Sequence, residues 1–426
     1  MKIFLTALCL SWATFSYANL ESADLVPLSD SELSKVEAQA LFSFTYTDPK
    51  QADASMNQQN IGFYKLGLEA NLELNANINK LQLGCGGVNG LGGCDIDIDN
   101  LSLSGLSGLS DTSDGRASSS AVFSNPFIEF AIKNPDSAAL REIKGFRLSA
   151  EKVMGLLTMG LENSETPNGI NSLSGYMKIK DTTGLAYTAA RNMSYQDTGK
   201  TIDGTVNACI GICIPLGFNS SDYNLQLQQT TAPIVINGQV ISGSRMNNVM
   251  LNGVANIDQL NFSGDLKASI NAALGLLNLQ KNVTGSITGL RAALTVDQNL
   301  GFIHKIELNN PFSLSLQGQQ IFWPGADAAA ERGWWMAFDD EIDIGNVTPS
   351  KQIEITNDVL KQVVDPISAY LTANPVRCNL LNCLFGEDLA VGEVKLPNTI
   401  VNFPLKDLQL KNQSFAPNCY GNLKFC

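Results

Sequence analysis

Histidine is almost absent from the sequence, which has one, His304. That scarcity excludes zinc sites that use several imidazoles, and it leaves His304 as the only histidine that could act as a general base. Charged residues are also few, at 16% of the chain, and acidic residues outnumber basic ones to give a net charge of −13. Because a chain this acidic repels phosphate backbones, we expect no nucleic acid partner.

Long apolar runs are missing as well. After the first residues no stretch of about twenty apolar residues occurs, so no transmembrane segment is expected. At the start, an apolar run over residues 3–14 follows Lys2 and precedes the small residues Ser16 and Ala18. This layout is typical of a secretory signal peptide, here residues 1–18. We therefore expect export through the inner membrane to the periplasm, the outer membrane or the cell surface.

Cysteines, in contrast, follow a regular pattern. The chain has nine, and removal of the signal peptide with Cys9 leaves an even number. An even count in an exported protein indicates disulfides, and the CxxC spacing typical of zinc thiolate sites is absent. Local pairing is the simplest connectivity. It joins Cys85 with Cys94, Cys209 with Cys213, Cys378 with Cys383, and Cys419 with Cys426.

The pair Cys209–Cys213 imposes a condition on the backbone. An extended strand would hold these residues about 13 Å apart, whereas a disulfide needs Cα atoms within about 7 Å of each other. The bond can therefore form only if Gly211 reverses the chain between the two cysteines.

A short helix is predicted soon after the signal peptide. Ser29 and Glu32 have the spacing of a capping box, and Leu33, Val36 and Ala40 lie on one helical face. A helix with a single apolar face, from about Ser29 to Ala40, is not stable alone and must dock on another part of the protein.

From residue 41 onward the period changes to the alternation typical of strands. Segments such as FSFTYTD, FIEFAIKN, VMLNGVANIDQLNFSG and FSLSLQGQQIFW are separated by Gly, Asn, Asp, Ser and Pro turn signals. The segment 265–280 fits either a helix or a long strand. A further helix is predicted over residues 356–374, where Pro366 is expected to kink or divide it.

These patterns predict a mainly β protein with long antiparallel sheets, sandwich-like or curved, a short N-terminal helix and one C-terminal helix. The chain is expected to divide into a signal peptide (1–18), an N-terminal docking helix segment (19–45), an antiparallel β region (46–350), and a helix with a cysteine-rich tail (351–426).

The stretch GCGGVNGLGGCDIDIDN, residues 84–100, looks most like a ligand-binding motif. A dinucleotide fingerprint would need a third glycine where Asn89 stands, followed by a helix, and a P-loop would need a lysine that the stretch lacks. Nucleotide binding is therefore not expected. The glycines do permit a turn that brings Cys85 to Cys94.

The end of this stretch is a candidate calcium site. Asp95, Asp97 and Asp99 occupy the first three ligand positions of an EF-hand loop, but Asn100 and Leu106 replace the required Gly and Glu. On a strand the three carboxylates would share one face at spacings of about 7 Å, where they either bind a divalent cation or face water. The solvated strand face is the simpler interpretation, and no other metal site and no cofactor are predicted.

Aromatic and acidic residues cluster in GWWMAFDDEIDIG, residues 333–345. Two carboxylates near tryptophans could serve glycoside hydrolysis or sugar binding, although adjacent tryptophans more often belong to a core and an acidic run to a solvated loop. The residues of this candidate are Trp334, Trp335, Asp339, Asp340, Glu341 and Asp343. No nucleophile elbow is present and His304 lies in a predicted strand, so no catalytic residue is assigned.

The segment LVPLSDSELSKVEAQALF resembles a P-L-x-D-x-x-L-x-x-V-x-G-Q run found just after the signal in exported gammaproteobacterial proteins. The matching residues are Pro27, Leu28, Asp30, Leu33, Val36 and Gln39, with Ala38 in place of the glycine. LTVDQNLGFIHKIELNNPFSLSLQGQQIFWPG also resembles a segment of exported β-rich proteins. Together these segments resemble Fil-type pilus-assembly or surface proteins, which implies an envelope location and a role in surface structures.

We therefore expect a non-enzymatic, exported protein of the cell envelope that assists assembly or presentation of a pilus, or fimbrium, or another adhesive structure. Its expected partners are other envelope or pilus proteins, and it could associate peripherally with the outer membrane. Two alternatives stay open: a β protein that binds or transfers a lipid or other apolar ligand, and a carbohydrate-active enzyme. The first requires a continuous apolar channel, and the second requires two carboxylates about 5–9.5 Å apart in a cleft near Trp334 and Trp335.

Overall fold

A computed structural model describes most of the chain. It covers residues 42–106, 116–161, 167–272, 275–349, 351–397, 399–406, 408 and 410–411. The predicted signal peptide, the predicted helix near residues 29–40 and the predicted Cys419–Cys426 pair lie outside these residues. Phe42, the first described residue, begins a strand.

Strands form most of the described chain, and many follow the predicted alternation, as in β13, where every second side chain is buried. The strands are β1 Phe42–Thr47, β2 Ile61–Leu68, β3 Asn71–Leu74, β4 Ala76–Leu83, β5 Ile96–Ser104, β6 Ala121–Lys133, β7 Glu142–Thr158, β8 Ile170–Ile179, β9 Thr182–Tyr187, β10 Arg191–Ser194, β11 Ile202–Ile210, β12 Ile212–Leu227, β13 Thr231–Ile236, β14 Gln239–Met246, β15 Asn248–Ala272, β16 Gly275–Asn299, β17 Lys305–Leu308, β18 Phe312–Gln317, β19 Gly333–Ile342, β20 Asn346–Val347, β21 Val376–Asn379, β22 Asp388–Lys395, β23 Ile400–Lys406 and β24 Leu410–Lys411.

Helices are short in comparison. They are α1 Ala54–Gln58, α2 Tyr195–Thr198, α3 Asn357–Ala373 and α4 Leu380–Phe385, with 3₁₀ turns at Pro49–Gln51, Arg116–Ser118 and Leu300–Phe302. The longest, α3, begins where the Thr356 hydroxyl accepts a hydrogen bond from the backbone N–H of Val359. No helix in the described ranges has the length and apolar character needed to cross a membrane.

Twelve strands form the larger sheet, which we call sheet A. Its main path runs β1–β2–β6–β7–β18–β19–β8–β5–β4, and β3, β14 and β17 pair with β6, β8 and β7 respectively. The second sheet, sheet B, has ten strands and a main path β21–β11–β12–β15–β13–β9, with β10 paired to β12. In sheet B, β16 pairs with β15 and also with β22 and β23.

The long hairpin of β15 and β16 organises sheet B. Each strand has 25 residues, and the two pair antiparallel from Asn248 opposite Asn299 to Ala272 opposite Gly275. The ambiguous segment 265–280 therefore belongs to strands rather than to a helix. Strand pairing with β12 on one side and with β22 on the other supplies partners for its backbone groups.

The predicted mainly β fold is confirmed, but the sheets are mixed rather than purely antiparallel. Parallel pairs join β8 with β19, β11 with β21, and β16 with both β22 and β23. Three of these four pairs bring strands from the segment 351–426 into sheet B. This segment, which the sequence suggested was a helix and a tail, thus supplies strands to the sheet as well as α3.

Proline does not divide α3. Pro366 lies inside the helix, which runs without a break from Asn357 to Ala373. Six apolar side chains of α3 are buried, and together with side chains of both sheets they form one core. Burial of this face stabilises the helix by more than the lost hydrogen bond at Pro366 costs.

Three of the four predicted disulfides lie within the described residues and are present: Cys85–Cys94, Cys209–Cys213 and Cys378–Cys383. Between the second pair, Gly211 has φ +74° and forms the tip of the β11–β12 hairpin, where Cys209 stands opposite Cys213. This is the reversal that the spacing requires. The disulfides fit an oxidising compartment.

A buried ion pair links two central strands of sheet A. Glu129 on β6 stands opposite Arg147 on β7, and the guanidinium donates to the Glu129 carboxylate through Nε at 3.0 Å and Nη2 at 2.5 Å. Arg147 also donates to the Pro324 carbonyl at 3.0 Å and lies over the Trp323 ring. The pair therefore fastens the segment between β18 and β19 onto this face of the sheet.

Substitution Arg147→Ala should lower the free energy of unfolding by about 3–5 kcal/mol, because it leaves the Glu129 carboxylate buried and uncompensated. Urea denaturation measures this loss. The double variant Glu129→Leu/Arg147→Met should recover much of it, since neither charge then remains.

Lys267→Ala is the matched control, because Lys267 and Asp222 form an ion pair in which both side chains are exposed. This substitution should leave the unfolding midpoint unchanged. Equal losses in the Arg147 and Lys267 variants would contradict the assignment of a buried, stabilising pair.

Candidate functional site

The glycine-rich loop closed by Cys85–Cys94 folds around Asp95. Gly84 has φ +70° and Gly333 has φ +105°, and a Cβ atom at either position would overlap the Asp95 carboxylate. Glycine is thus required at both positions, for its backbone angle and for the space that it leaves. Gly84 and Asn89 therefore lie against Asp95, although residues 85–93 of the loop are exposed.

Asp95 is almost fully buried, with 1% of its surface exposed. Its carboxylate accepts hydrogen bonds from Arg245 Nε at 3.0 Å, Asn89 Nδ2 at 2.9 Å and the backbone N–H of Trp334 at 3.0 Å. These donors belong to β14, the loop and β19, so the Asp95 carboxylate connects the loop to two strands of sheet A. The interpretation of Asp95 as part of a water-facing strand is wrong.

The other two aspartates of the calcium candidate lie further along β5 and are partly buried. Lys80 on the neighbouring β4 pairs with both, its Nζ 2.6 Å from Asp97 and 2.8 Å from Asp99. Burial alone raises the pKa of Asp97, but hydrogen bonds from Lys80, Gln82 and Asn171 outweigh it and hold that pKa below its usual value. The ammonium thus occupies the position between the carboxylates that a cation would take.

No group of three or more His, Cys, Asp or Glu side chains in the described part of the chain has the arrangement of a metal site. Asp95 accepts hydrogen bonds from Arg245, Asn89 and Trp334, whereas Asp97 and Asp99 pair with Lys80. The three side chains predicted to share one face therefore have two separate environments.

The two tryptophans of the predicted site, Trp334 and Trp335, lie on opposite faces of β19. Trp335 is buried in the smaller core beside Tyr176, whereas Trp334 points to the opposite face of sheet A and meets Phe146 edge-on at 6.2 Å. Asp340 is 4% exposed and accepts hydrogen bonds from the backbone N–H groups of Asn309 and Asn310 and from the Asn310 side chain. It closes a turn.

The remaining acids of this candidate have different surroundings. Asp339 is partly buried and accepts a hydrogen bond from the Tyr176 hydroxyl, while Glu341 and Asp343 are exposed. Burial raises the pKa of Asp339 above its usual value, against the lowering effects of the Tyr176 hydrogen bond and Lys178. The run therefore combines a buried turn residue, a partly buried acid and two exposed acids.

His304 lies one residue before β17 and is fully buried. Its Nδ1 is 3.1 Å from the Met159 carbonyl, and its own carbonyl accepts from the Met159 backbone N–H at 2.9 Å. The contact with a carbonyl requires a proton on Nδ1. His304 thus joins two neighbouring backbone segments.

The feature that the sequence did not reveal is an apolar face on sheet A. Five side chains stand directly opposite one another across five adjacent strands, forming a first row of Phe44, Leu66, Ile128, Leu148 and Leu314. A parallel second row consists of Tyr46, Tyr64, Phe130, Phe146, Leu316 and Trp334. We call these two rows the apolar face.

Exposure distinguishes the first row from a core. Phe44 is 66% exposed, Leu66 47% and Leu148 41%, and a groove of about 520 Å³ lies over this row. Soluble proteins seldom expose apolar side chains in such a contiguous set. In the sequence, segments such as FIEFAIK have apolar residues at both odd and even positions of the strand. This pattern indicates two apolar faces but does not say which of them is covered.

Substitution Asp339→Asn should change how stability depends on pH. The pKa of Asp339 is higher in the folded than in the unfolded protein, so the charged carboxylate lowers the free energy of unfolding. This loss is fully present above the folded pKa and disappears below the unfolded pKa. Relative to Asp339→Asn, the wild-type protein should therefore gain stability as the pH falls from 7 to 4, as urea midpoints at each pH would record.

Tyr176→Phe provides the companion test, since it removes the hydrogen bond that favours the charged carboxylate and should enlarge the pH-dependent gain. Parallel pH profiles for wild type and Asp339→Asn would overturn the assignment.

Comparison of the chain with protein families, curated proteins and solved structures found no match. The resemblance to Fil-type proteins thus remains a prediction from two sequence segments. Arguments about function rest on the apolar face and on the other arrangements described above.

Proposed function

We propose that this protein is a non-enzymatic component of the cell envelope that assists assembly or presentation of a pilus or another adhesive structure. The apolar face is its contact surface for a partner protein. The observation that carries the proposal is the first row of cross-strand apolar side chains, which crosses five strands and remains exposed at Phe44, Leu66 and Leu148.

The composition of the face favours a protein partner. Five of the six residues in the second row are Tyr, Phe or Trp, and neither row contains a charged residue. Interface centres are rich in aromatic residues and poor in charge. A protein partner that covered the face would desolvate both rows.

The edge of the sheet supports the same function. β1 carries Phe44 and is the last strand on its side of sheet A among the described residues. An edge strand can accept an extended segment from another protein through its backbone, while the added side chains pack on the neighbouring face. A strand from the partner could thus extend sheet A and cover the first row.

An envelope location is supported by the three disulfides and by the predicted signal peptide. Within the envelope, the proposal places the protein in the periplasm, at the outer membrane or on the cell surface, where pilus subunits are assembled.

Deletion of the protein should abolish or strongly reduce surface fibres seen by electron microscopy, and the wild-type chain should restore them. The double variant Leu66→Ser/Leu148→Ser should fail to restore fibres although it folds, because the two side chains are already 47% and 41% exposed. Its urea midpoint should stay close to that of wild type.

Ile212→Ser is the matched control, since Ile212 is 82% exposed at the β11–β12 tip in sheet B. This variant should restore fibres fully. Normal fibres in the deletion strain would refute the proposal. Loss of binding to anionic phospholipid vesicles in the double variant, with normal fibres, would instead identify the face as a membrane contact.

A further inference from the structure

Sheet B ends in a projecting hairpin. β11 and β12 meet at Gly211, whereas β15 pairs with β12 only as far as Phe218 opposite Ile270 and ends two residues later at Ala272. Residues 212–215 of β12 therefore extend about 13 Å beyond the end of β15, at about 3.3 Å per residue. Among the described residues, no strand other than β11 pairs with them.

The exposed side chains of this hairpin are apolar. Ile210 is 64% exposed, Ile212 82% and Ile214 54%. Farther along β12 the exposed positions hold polar residues such as Asn224, and the apolar residues there are buried. The alternation between a buried apolar side and a solvated polar side therefore fails at the tip. Residues 204–221 contain no Asp, Glu, Lys, Arg or His.

A second apolar element, α4, lies beside the hairpin. β21 pairs with β11 as far as Asn379 opposite Cys209, and α4 begins at the next residue and contacts β11. Leu381 and Phe385, one helical turn apart, are 61% and 79% exposed. A helix at a protein surface normally presents polar residues to water, whereas α4 presents these two. We use the name apolar tip for Ile210, Ile212, Ile214, Leu381 and Phe385.

Two of the three described disulfides brace the apolar tip. Cys209–Cys213 joins the two strands of the hairpin, and Cys378–Cys383 joins β21 to α4. Lys281 on β16 is buried and donates to the carbonyls of Asn382 and Gly386, which fixes the end of α4. The apolar side chains are thus held in position before a partner arrives, so that binding requires little ordering of the chain.

The shape of the apolar tip favours a lipid bilayer over another protein. A partner strand could add to the projecting edge of β12, but Pro215 lies on that edge and has no backbone N–H to offer it. Five side chains are also far fewer than the roughly 20–30 residues that each side of a stable protein interface contributes. Peripheral proteins bury apolar side chains about 5–10 Å deep at the boundary between head groups and acyl chains, which is within the length by which the hairpin projects.

The charges near the apolar tip do not attract anionic lipid. Arg377 precedes α4, Glu387 and Asp388 follow it, and all three are exposed. The whole chain is acidic as well. Insertion should therefore depend on the burial of apolar surface rather than on charge, and a zwitterionic bilayer should suffice.

We propose that the apolar tip inserts into the surface of a phospholipid bilayer, with Ile210, Ile212 and Phe385 among the acyl chains and the hairpin backbone at the level of the head groups. At that level water satisfies the backbone groups on the outer edge of β12, which the hydrocarbon interior could not do. This site lies in sheet B and does not involve the apolar face, so it goes beyond the proposed function and stands independently of it.

The test is co-flotation of the full-length exported protein with phosphatidylcholine vesicles. Wild type should bind the vesicles saturably, and equally well in about 0.1 M and about 0.5 M salt, because no charge attraction is involved. Addition of anionic phosphatidylglycerol to the vesicles should not strengthen binding.

The double variants Ile210→Ser/Ile212→Ser and Leu381→Ser/Phe385→Ser should each weaken vesicle binding at least about tenfold, because each removes two apolar side chains from contact with lipid. Both should keep urea midpoints close to that of wild type, since these side chains are between 61% and 82% exposed. Leu91→Ser is the matched control. Leu91 is 94% exposed in the loop between β4 and β5, and its substitution should leave binding unchanged.

A tryptophan at the apolar tip reports insertion directly. In Phe385→Trp, vesicles should shift the added fluorescence emission to shorter wavelength, and lipids brominated on their acyl chains should quench it. Leu91→Trp should show neither change.

Unchanged vesicle binding in both double variants, or no binding by wild type, would overturn the proposal. Binding that requires anionic lipid and disappears in about 0.5 M salt would also overturn it, because adsorption would then depend on charge. If the double variants lose self-association instead of vesicle binding, the tip is a contact between copies of the chain. Loss of vesicle binding in Leu66→Ser/Leu148→Ser alone would place the membrane contact on the apolar face of sheet A.

Discussion

The buried pair between Glu129 and Arg147 determines how the central strands of sheet A are oriented. Strand side chains alternate between faces, so fixing this pair beneath Pro324 and Trp323 sends Ile128 and Leu148 to the other side. A slip of one residue would bury the apolar row and expose the ion pair. The same contact that stabilises the covered face therefore also presents the apolar face to solvent, and both depend on one register.

In sheet B side chains also alternate between the two faces, but there the apolar face is covered. Along the β15–β16 hairpin most apolar side chains are buried in the shared core and most polar side chains are exposed, with Met250, Lys281 and Gln298 as exceptions. Because β16 pairs with strands on both sides, its inner side chains form part of an enclosed wall. Sheet A therefore presents an apolar face to solvent, whereas sheet B encloses most of its apolar side chains.

Local patterns in the sequence predicted those features that depend on residues close together in the chain. Strand content followed from alternation, and the turn at Gly211 followed from the spacing of its two cysteines. Long-range pairing could not be predicted, since β16 meets β22 about a hundred residues later in the chain. Asp95 illustrates the same limit, because its main partner, Arg245, lies 150 residues away. At Pro366 tertiary packing overrode local propensity, and for the apolar face periodicity could not tell which side is covered.

The three disulfides have a consequence for the order in which the chain acquires its structure. Their partners are 9, 4 and 5 residues apart, so each bond closes within one short segment. Each correct pair can be oxidised as soon as its segment meets an oxidising environment, before the distant strands of either sheet arrive. Thiols that meet their proper partner first have little opportunity for exchange with others. A long β protein with many non-local contacts can thus complete its covalent bonds early and leave slow strand assembly to proceed without rearrangement of disulfides.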